Sequence, residues 1–167
     1  MQYKYCPQCG GLLEKKLLAL EDRPRLICKQ CDFIFYINPI PAAGVILFKE
    51  NKIVLIKRKY EPKRGQWSLP AGFLEYDETV EQTAIREAKE ETNLTVRLNG
   101  LFGVYSAFDD PCKQVLLVVY RGIIIDGEIE PGDDAAEVKY FLLNDLPEDI
   151  AFSCHRHVLN KLRQERE

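Results

Sequence analysis

Three glutamates, Glu87, Glu90 and Glu91, stand at spacings of three and four residues in a stretch rich in helix-forming residues. On an α-helix these spacings place the three carboxylates on one face within a single turn. Hard divalent cations such as Mg2+ take oxygen ligands and keep waters that substrate phosphates can replace. The small residues Ala84 and Ala88 would let such a helix pack closely on a sheet. The pattern predicts either a cation site at the edge of a cleft or a solvated acidic face.

Four of the six cysteines form two CxxC pairs near the N-terminus: Cys6, Cys9, Cys28 and Cys31. The gap of 18 residues between the pairs is typical of a four-thiolate zinc site. Such a Zn2+ site is closed to water and therefore structural. A redox-active pair and incidental buried thiols are the alternatives, and the recurrence of both pairs at ligand spacing favours zinc. Cys112 and Cys154 stand alone, and we expect packing residues or half-exposed thiols there.

The composition limits the class of protein. Of 167 residues, 46% are hydrophobic and 29% charged, which excludes a disordered chain. The net charge of -3 argues against a general nucleic-acid binder, and nucleic acid is not an expected partner. No signal peptide and no apolar run of membrane-spanning length is visible, so we expect a cytoplasmic protein with reduced thiols and no membrane partner.

Two prolines within residues 38–41 predict a linker, because proline interrupts both helices and central strands. We therefore expect a zinc ribbon over residues 1–37 and a second domain over residues 38–167, whose first strand begins near Ala42. In the ribbon, the leucines at 12–13 and 17–20 predict short strands.

The second domain contains strand patterns and two helix patterns. Apolar runs at 43–48 and 53–56, joined by a turn at 50–51, predict a β-hairpin. A helix is predicted over residues 78–92, with Asp77 as N-cap and Asn93 as terminator. Further strands are predicted near 94–96, 101–105, 114–125 and 138–142, and a last helix over 153–164.

Within this frame the acidic helix carries a family resemblance. Gly72, five residues, Glu78, seven residues and then the run REAKEETNL at 86–94 resemble the Nudix box, G-x5-E-x7-R-E-U-x-E-E-x-G-U. The departure is Asn93 in place of glycine, a mild change because asparagine also adopts the left-handed conformation. The resemblance implies an α/β fold, a Nudix α/β/α sandwich around a mixed sheet, preceded here by the zinc ribbon.

The resemblance also implies roles for individual residues. Hydrolysis of a nucleoside diphosphate linked to another moiety, with Mg2+ or Mn2+, would use three glutamates and a backbone carbonyl as metal ligands: Glu87, Glu90, Glu91 and Ala71. Gly72 would help to hold the loop, and Arg86 would orient the carboxylates by ion pairing. Glu78 would be structural.

The general base in this family often lies outside the box, on a later loop. The stretch from 126 to 137 holds six acidic residues. Glu137 is the first candidate, followed by Asp134 and Asp133. A solvated acidic loop is the alternative for each of them.

A zinc ribbon before a Nudix domain resembles two groups: the NADH pyrophosphatases, and proteins similar to the plant FAD and ADP-ribose pyrophosphatases. The first group carries an SQPWPFP-type motif after the box, where this chain reads YSAFDDP at 105–111. The second group fits better at residues 67–72, 146–147 and 151–153. We therefore expect hydrolysis of FAD or ADP-ribose with release of AMP. An NADH pyrophosphatase and a non-catalytic nucleotide sensor are the alternatives.

Several side chains are candidates for contact with this nucleotide-derived substrate. Arg58 belongs to a basic stretch that would attract an anion or lie in solvent. Tyr105, Phe108 and Phe152 are candidates for stacking, with the core as the alternative, and Trp67 is expected in the core.

Two further expectations concern metals and assembly. His155 and His157 stand two apart on the last helix and are poor joint metal ligands. Many Nudix enzymes are homodimers, and the resemblance implies one here.

Overall fold

The computed structural model describes residues 3–19, 21–110, 113–132 and 134–165. The chain divides into two compact units, Met1–Pro39 and Ile40–Glu167. Leu20, Cys112 and Asp133, for which the sequence predicts a strand position, a packing role and a candidate base, lie outside the described residues. No helix in the described ranges is long and apolar enough to cross a membrane.

The first unit contains a small antiparallel sheet with the order β1-β2-β3. Its strands are β1 (Leu13–Lys16), β2 (Arg25–Cys28) and β3 (Ile34–Phe35). The strand expected at 17–20 is wrong for the described residues 17–19, and the second strand lies later in the chain. Strand β2 lies later because its last residue, Cys28, pairs with Leu13 of β1. This pairing brings the end of β2 beside the first CxxC turn.

The second unit is built on a mixed sheet with the strand order β10-β5-β4-β9-β8. The strands of this sheet are β4 (Ile40–Lys49), β5 (Lys52–Arg58), β8 (Thr95–Asp110), β9 (Lys113–Asp126) and β10 (Ala135–Leu142). Strands β4 and β9 are parallel, and the other neighbours are antiparallel. Two short strands, β6 (Trp67–Ser68) and β7 (Ala71–Phe73), pair with β5 and β4 respectively.

One helix covers each face of this sheet. Successive side chains of a strand point to opposite faces, and the core divides accordingly. Ala42 and Ile46 of β4 pack in the cluster that includes α2 (Ser153–Gln164), whereas Val45 and Leu47 pack in the cluster that includes Ala88 of α1 (Val80–Thr92). The predicted α/β/α sandwich with a mixed sheet is confirmed.

The start of α1 differs from the prediction. Thr79, not Asp77, is the N-cap, and its hydroxyl accepts from the backbone N–H of Gln82 while the Gln82 side chain accepts from the N–H of Thr79. This reciprocal capping box satisfies two backbone donors, which a single aspartate does not. Asn93 ends the helix in the left-handed conformation, at a φ of 61°, as predicted.

Two strand predictions also need correction. The strands expected at 94–96 and 101–105 form one long strand, β8, whose register shifts near Leu98 and Leu101. Strand β4 begins at Ile40 and includes Pro41, which the sequence places in a linker. The carbonyl of Pro41 accepts from the backbone N–H of Leu74, which lies just beyond the end of β7. Proline is tolerated at this position because its missing N–H breaks no hydrogen bond of the β4–β7 ladder.

Candidate functional site

The four cysteines of the first unit form a candidate metal centre. Their sulfur atoms all lie within 4.8 Å of one another, with 3.8 Å between Cys6 and Cys31 and 3.4 Å between Cys9 and Cys28. None of the four is in a disulfide bond. Zn–S bonds of about 2.3 Å in a tetrahedron separate the sulfurs by about 3.8 Å. The quartet therefore has the dimensions of a four-thiolate zinc site.

In each CxxC turn a backbone N–H donates to the sulfur of the first cysteine, which favours a thiolate there. The N–H groups of Gln8 and Gln30 point at the sulfurs of Cys6 and Cys28 at 3.4 Å each. The donor from Gln30 is the main cause that lowers the pKa of Cys28 to about 7. A thiolate, not a thiol, is the metal ligand.

In the second unit, the acidic face of α1 is organised by Arg86. Its guanidinium donates to both carboxylate oxygens of Glu78, at 2.5 and 2.9 Å, to Glu87 at 2.7 Å and to Glu90 at 2.8 Å. The guanidinium also donates to a fourth partner, the backbone carbonyl of Phe73 in β7, at 3.1 Å. The guanidinium lowers the pKa of Glu78 to about 2. Arg86 thus holds the carboxylates of Glu87 and Glu90 on α1 and that of Glu78 just before the helix.

Glu91 is the most deeply buried carboxylate of this face. Its Oε2 accepts from the backbone N–H of Ala71 at 2.9 Å. Burial raises the pKa of Glu91 to about 8, against the lowering effect of the Ala71 donor. Burial also raises the pKa of Glu87, against the lowering effect of Arg86. A nearby positive charge would lower the free-energy cost of ionising a carboxylate buried in this way.

Gly72 lets the Glu87 carboxylate approach β7. A Cβ atom at this position would lie 2.0 Å from Oε1 of Glu87, so that any side chain would displace the carboxylate. The predicted role of Gly72 in this loop thus has a steric reason that spacing alone does not reveal.

A cavity of about 560 Å³ opens beside this face. Its acidic end is lined by five charged residues: Arg86, Glu87, Glu90, Glu91 and Asp134. The apolar and aromatic part of its lining includes Ala42, Ala107, Val115, Leu117 and Phe152, together with Cys154 and His155. The charged residues Asp109, Asp110 and Lys113 also line the cavity. So does Arg58, which lies 5.1 Å from the centre of the Phe152 ring and is held by a 2.9 Å bond to the carbonyl of Pro62.

The structure brings some predicted residues to this cavity and leaves others outside. The cavity is lined by Arg58, Phe152 and Asp134, together with Ala71, Glu87, Glu90 and Glu91. Tyr105 and Phe108 are not among the lining residues: Tyr105 packs near Phe102, and the Phe108 side chain is 67% exposed.

Glu137 also lies outside the lining. It is on β10, where it forms ion pairs with Lys57 and Lys139, and these lysines, Lys139 first, lower its pKa. Trp67 is in the core, as expected, in edge contact with Phe141.

Two residues that line the cavity form hydrogen bonds that the sequence does not predict. His155, interpreted only as a poor metal ligand, is buried, and its Nδ1 accepts from the backbone N–H of Leu69 at 3.0 Å. Asp109 accepts from the N–H of Ser153 at 3.0 Å and thereby caps the start of α2. Neither contact has a local signal, because the partners are 86 and 44 residues apart.

The sequence matches two families. Residues 38–162 match the NUDIX domain, and residues 4–37 match the Nudix N-terminal zinc ribbon. The chain belongs to the Nudix hydrolases, the enzyme class that the sandwich and the acidic helix define.

Three relatives show how far the likeness extends. An ADP-ribose pyrophosphatase from Methanocaldococcus jannaschii is 44% identical over 92% of this chain and 87% of its own length. A crystal structure of a NUDIX hydrolase from Nitrosomonas europaea superposes with a TM-score of 0.87 at 38% identity, covering 98% of this chain and 92% of that one. The NAD-capped RNA hydrolase NudC of Vibrio vulnificus is 32% identical over 86% of this chain, which spans only 52% of that relative.

Proposed function

We propose that this protein hydrolyses ADP-ribose or FAD in a reaction dependent on Mg2+ or Mn2+, and that it releases AMP. One observation carries the proposal: a single cavity joins an acidic helix face to an apolar, aromatic end through Arg58. A diphosphate needs cations, and the organic group attached to it needs an apolar wall. The identity of 44% to an ADP-ribose pyrophosphatase supports the same substrate class.

The donor set at the acidic end fits a hard divalent cation. Carboxylates of Glu87, Glu90 and Glu91, with the carbonyl of Ala71 as a further oxygen, would hold it. A cation bound there would neutralise the diphosphate and lower the pKa of a bound water. Because Arg86 now pairs with Glu87 and Glu90, it would give up part of these contacts when the cation binds.

Asp134 is the better candidate for the general base. It lines the cavity, and its charge acts on both Glu87 and Glu91. Glu137, the first candidate from the sequence, is held by two lysines and a lowered pKa. A general base must reach the water that it deprotonates, which favours Asp134.

Arg58 and Phe152 are the proposed contacts for substrate. The Arg58 guanidinium lies over the Phe152 ring, 5.1 Å from its centre, and both residues line the cavity, one as a charged group and the other as a flat ring. A phosphate group suits the first and a ring the second. Tyr105 and Phe108 have no such position and are not needed for this proposal.

The NudC relatives favour one second candidate substrate, a nicotinamide dinucleotide such as NADH. The NudC of Vibrio vulnificus shares 32% identity over 86% of this chain, which spans 52% of that relative. The motif YSAFDDP at 105–111 differs from the motif of NADH pyrophosphatases, so we expect NADH to be a weaker substrate than ADP-ribose.

Three finer features belong to the same proposal. Zn2+ would fill the cysteine quartet, and the reduced thiols of this site suit the cytoplasm. A homodimer is supported by β8, which pairs only with β9 among the described residues and exposes Leu101, Val104 and Phe108.

The test is hydrolysis by the full chain of ADP-ribose, FAD, NADH and nucleoside triphosphates, with and without added Mg2+, and with products separated by chromatography. We expect AMP from ADP-ribose or FAD only with metal, and its loss in Glu90→Gln. Glu81→Gln, on the same helix but bonded to Tyr120 outside the cavity, is the matched control. Tight nucleotide binding without turnover of any substrate would instead support a nucleotide sensor.

A further inference from the structure

The apolar end of the cavity contains a polar group that the diphosphate chemistry does not use, the imidazole of His155. This residue is 5% exposed and lies in the first turn of α2. Its Nδ1 accepts from the backbone N–H of Leu69 at 3.0 Å. An imidazole nitrogen that accepts a hydrogen bond carries no proton, so the proton of the neutral ring is on Nε2.

The Nε2–H group is the remaining donor of a side chain that lines the cavity. Among the residues that the structure describes, Leu69 is the hydrogen-bond partner of His155, and Nε2 forms no hydrogen bond, although the charge of Asp109 acts on the imidazole. No enclosed side-chain nitrogen or oxygen in this part of the chain lacks a partner, so Nε2 is not sealed inside the protein. The open space that it meets is the cavity, which His155 lines. A nearly buried donor thus points at the space reserved for substrate.

The direction of this donor is fixed by its neighbours. Asp109 holds the start of α2 through the N–H of Ser153, at 3.0 and 3.2 Å. The Phe152 ring lies 5.5 Å from the imidazole, centre to centre. Burial, supported by the charge of Arg58, keeps the pKa of His155 at about 4, so the ring is neutral near pH 7.

The surroundings of the donor suit a flat, uncharged ring. The lining includes apolar side chains and the Phe152 ring, with the Arg58 guanidinium over that ring, and the charged residues Asp109, Asp110 and Lys113. Binding sites of this kind combine apolar walls with a few fixed polar groups that set orientation and specificity. A nucleobase offers both parts, a flat face and acceptor atoms on its edge.

We propose that His155 is a specificity-determining residue whose Nε2–H donates to a ring nitrogen of the substrate's nucleobase. The inference rests on the proposed function, because the base is taken to enter this cavity with its diphosphate at the acidic end. The hydrogen bond selects a base with an acceptor at that edge, and its loss weakens binding more than catalysis.

Two amide substitutions separate this role from a structural one. Asparagine at position 155 can reproduce the Nδ1 acceptor for Leu69 but is too short to reach the position of Nε2. Glutamine can place an N–H donor near Nε2 but serves Leu69 less well. We expect His155→Asn to raise the KM for ADP-ribose by roughly 10- to 100-fold with kcat within about threefold. His155→Gln should keep KM within a few-fold of wild type but have the lower Tm.

A purely structural role predicts the reverse order, in which KM rises most in the variant with the lower Tm. That order, or an unchanged KM in His155→Asn, would overturn the proposal. The substrate provides an independent measurement on the wild-type enzyme. Of the 1-deaza, 3-deaza and 7-deaza analogues of ADP-ribose, one should show a KM at least tenfold higher than ADP-ribose itself. Equal KM values for all three would overturn the proposal even if both variants failed to fold.

Failure of the proposed function has a different signature. If wild-type protein hydrolysed neither ADP-ribose nor FAD, the substrate assignment would fail. Calorimetric binding of ADP-ribose and its deaza analogues would then still test the donor. Weaker binding of one analogue to wild type, without that difference in His155→Asn, supports the role of His155, and indifference to all analogues contradicts it.

Discussion

The backbone N–H of Ala71 donates a 2.9 Å hydrogen bond to Oε2 of Glu91 and so joins β7 to the last turn of α1. The bond holds a carboxylate at a position where burial opposes its charge. The proposed role of Glu91 as a metal ligand needs the charged form, whereas burial favours the neutral one, so stability and the proposed catalysis make opposite demands on this residue.

The first prediction concerns Glu91→Gln, which keeps an oxygen acceptor for Ala71 and removes the charge. We expect hydrolysis to fall by at least about 100-fold, because a proposed metal ligand is lost. The pKa of Glu91 is raised to about 8, so in metal-free wild type the cost of its charge grows as the pH rises and is largest above pH 8. Glu91→Gln should therefore have an equal or higher Tm there, as measured by calorimetry. Full activity in this variant, with Glu81→Gln as control, would contradict the assignment.

The second prediction concerns Gly72→Ala. The new Cβ would lie 2.0 Å from Oε1 of Glu87, and the side chain of Glu87 can swing away at little cost in stability. We expect kcat to fall by roughly 10- to 100-fold through misplacement of the carboxylate, with Tm nearly unchanged. The double variant Gly72→Ala, Glu87→Gln should be no less active than Glu87→Gln alone. Additive losses would show that Gly72 acts by another route.

The third prediction separates two candidate bases. Asp134→Asn should lower kcat by roughly 100- to 10,000-fold, as expected for removal of a general base. Glu137→Gln is the matched control, because it removes a carboxylate that pairs with Lys57 and Lys139 outside the cavity. Its kcat should stay within about threefold of wild type. The opposite ranking would restore Glu137 as the base.

The sequence predicts those features whose signal is local. The acidic face of α1, its termination at Asn93 and the apolar runs of β4 and β5 all depend on neighbouring residues. The start of α1 was predicted two residues early because Asp77 and Thr79 are both good caps, and only the reciprocal bond of Gln82 decides between them.

Contacts across long separations in the chain were not predictable in this way. Which acidic residue of the stretch 126–137 faces the cavity depends on the register of β10 against β5, where a bulge lies between Ala135 and Glu137. Likewise, the bond between Leu69 and His155 joins residues 86 positions apart. The alternation of side chains along a strand does not predict where a bulge lies. Composition does not predict a hydrogen-bond partner so far away in the chain.

The fourth prediction concerns the cysteine quartet. Metal analysis of the purified protein should find about one zinc per chain. Cys28→Ser should lose this zinc and unfold the first unit, because metal binding supplies much of the folding free energy of so small a sheet. Cys154→Ala, which removes a buried thiol of the second unit, should keep the zinc. Zinc-free protein with four titratable thiols and an intact first unit would contradict the assignment.

The last prediction concerns the acid stability of the second unit. The pKa of His155 in the folded protein is about 4, chiefly because of burial and then the charge of Arg58; Arg156 also lowers it, whereas Asp109 opposes this effect. Its ordinary value in an unfolded chain is about 6.5. As the pH falls through 6.5 the unfolded state takes up a proton that the folded state refuses, so stability drops until about pH 4 and then levels off.

His155→Asn cannot titrate, so the comparison isolates this histidine. Between about pH 7.5 and pH 4.5, wild type should lose roughly 2 to 3 kcal/mol more unfolding free energy than the variant. The contribution of Glu78, whose pKa of about 2 places its window lower, is the same in both proteins. Trp67, the only tryptophan, lies in β6 and reports unfolding of this unit by fluorescence. Parallel stability curves would contradict the lowered pKa of His155, because a proton can add only to Nδ1, whose lone pair accepts from Leu69.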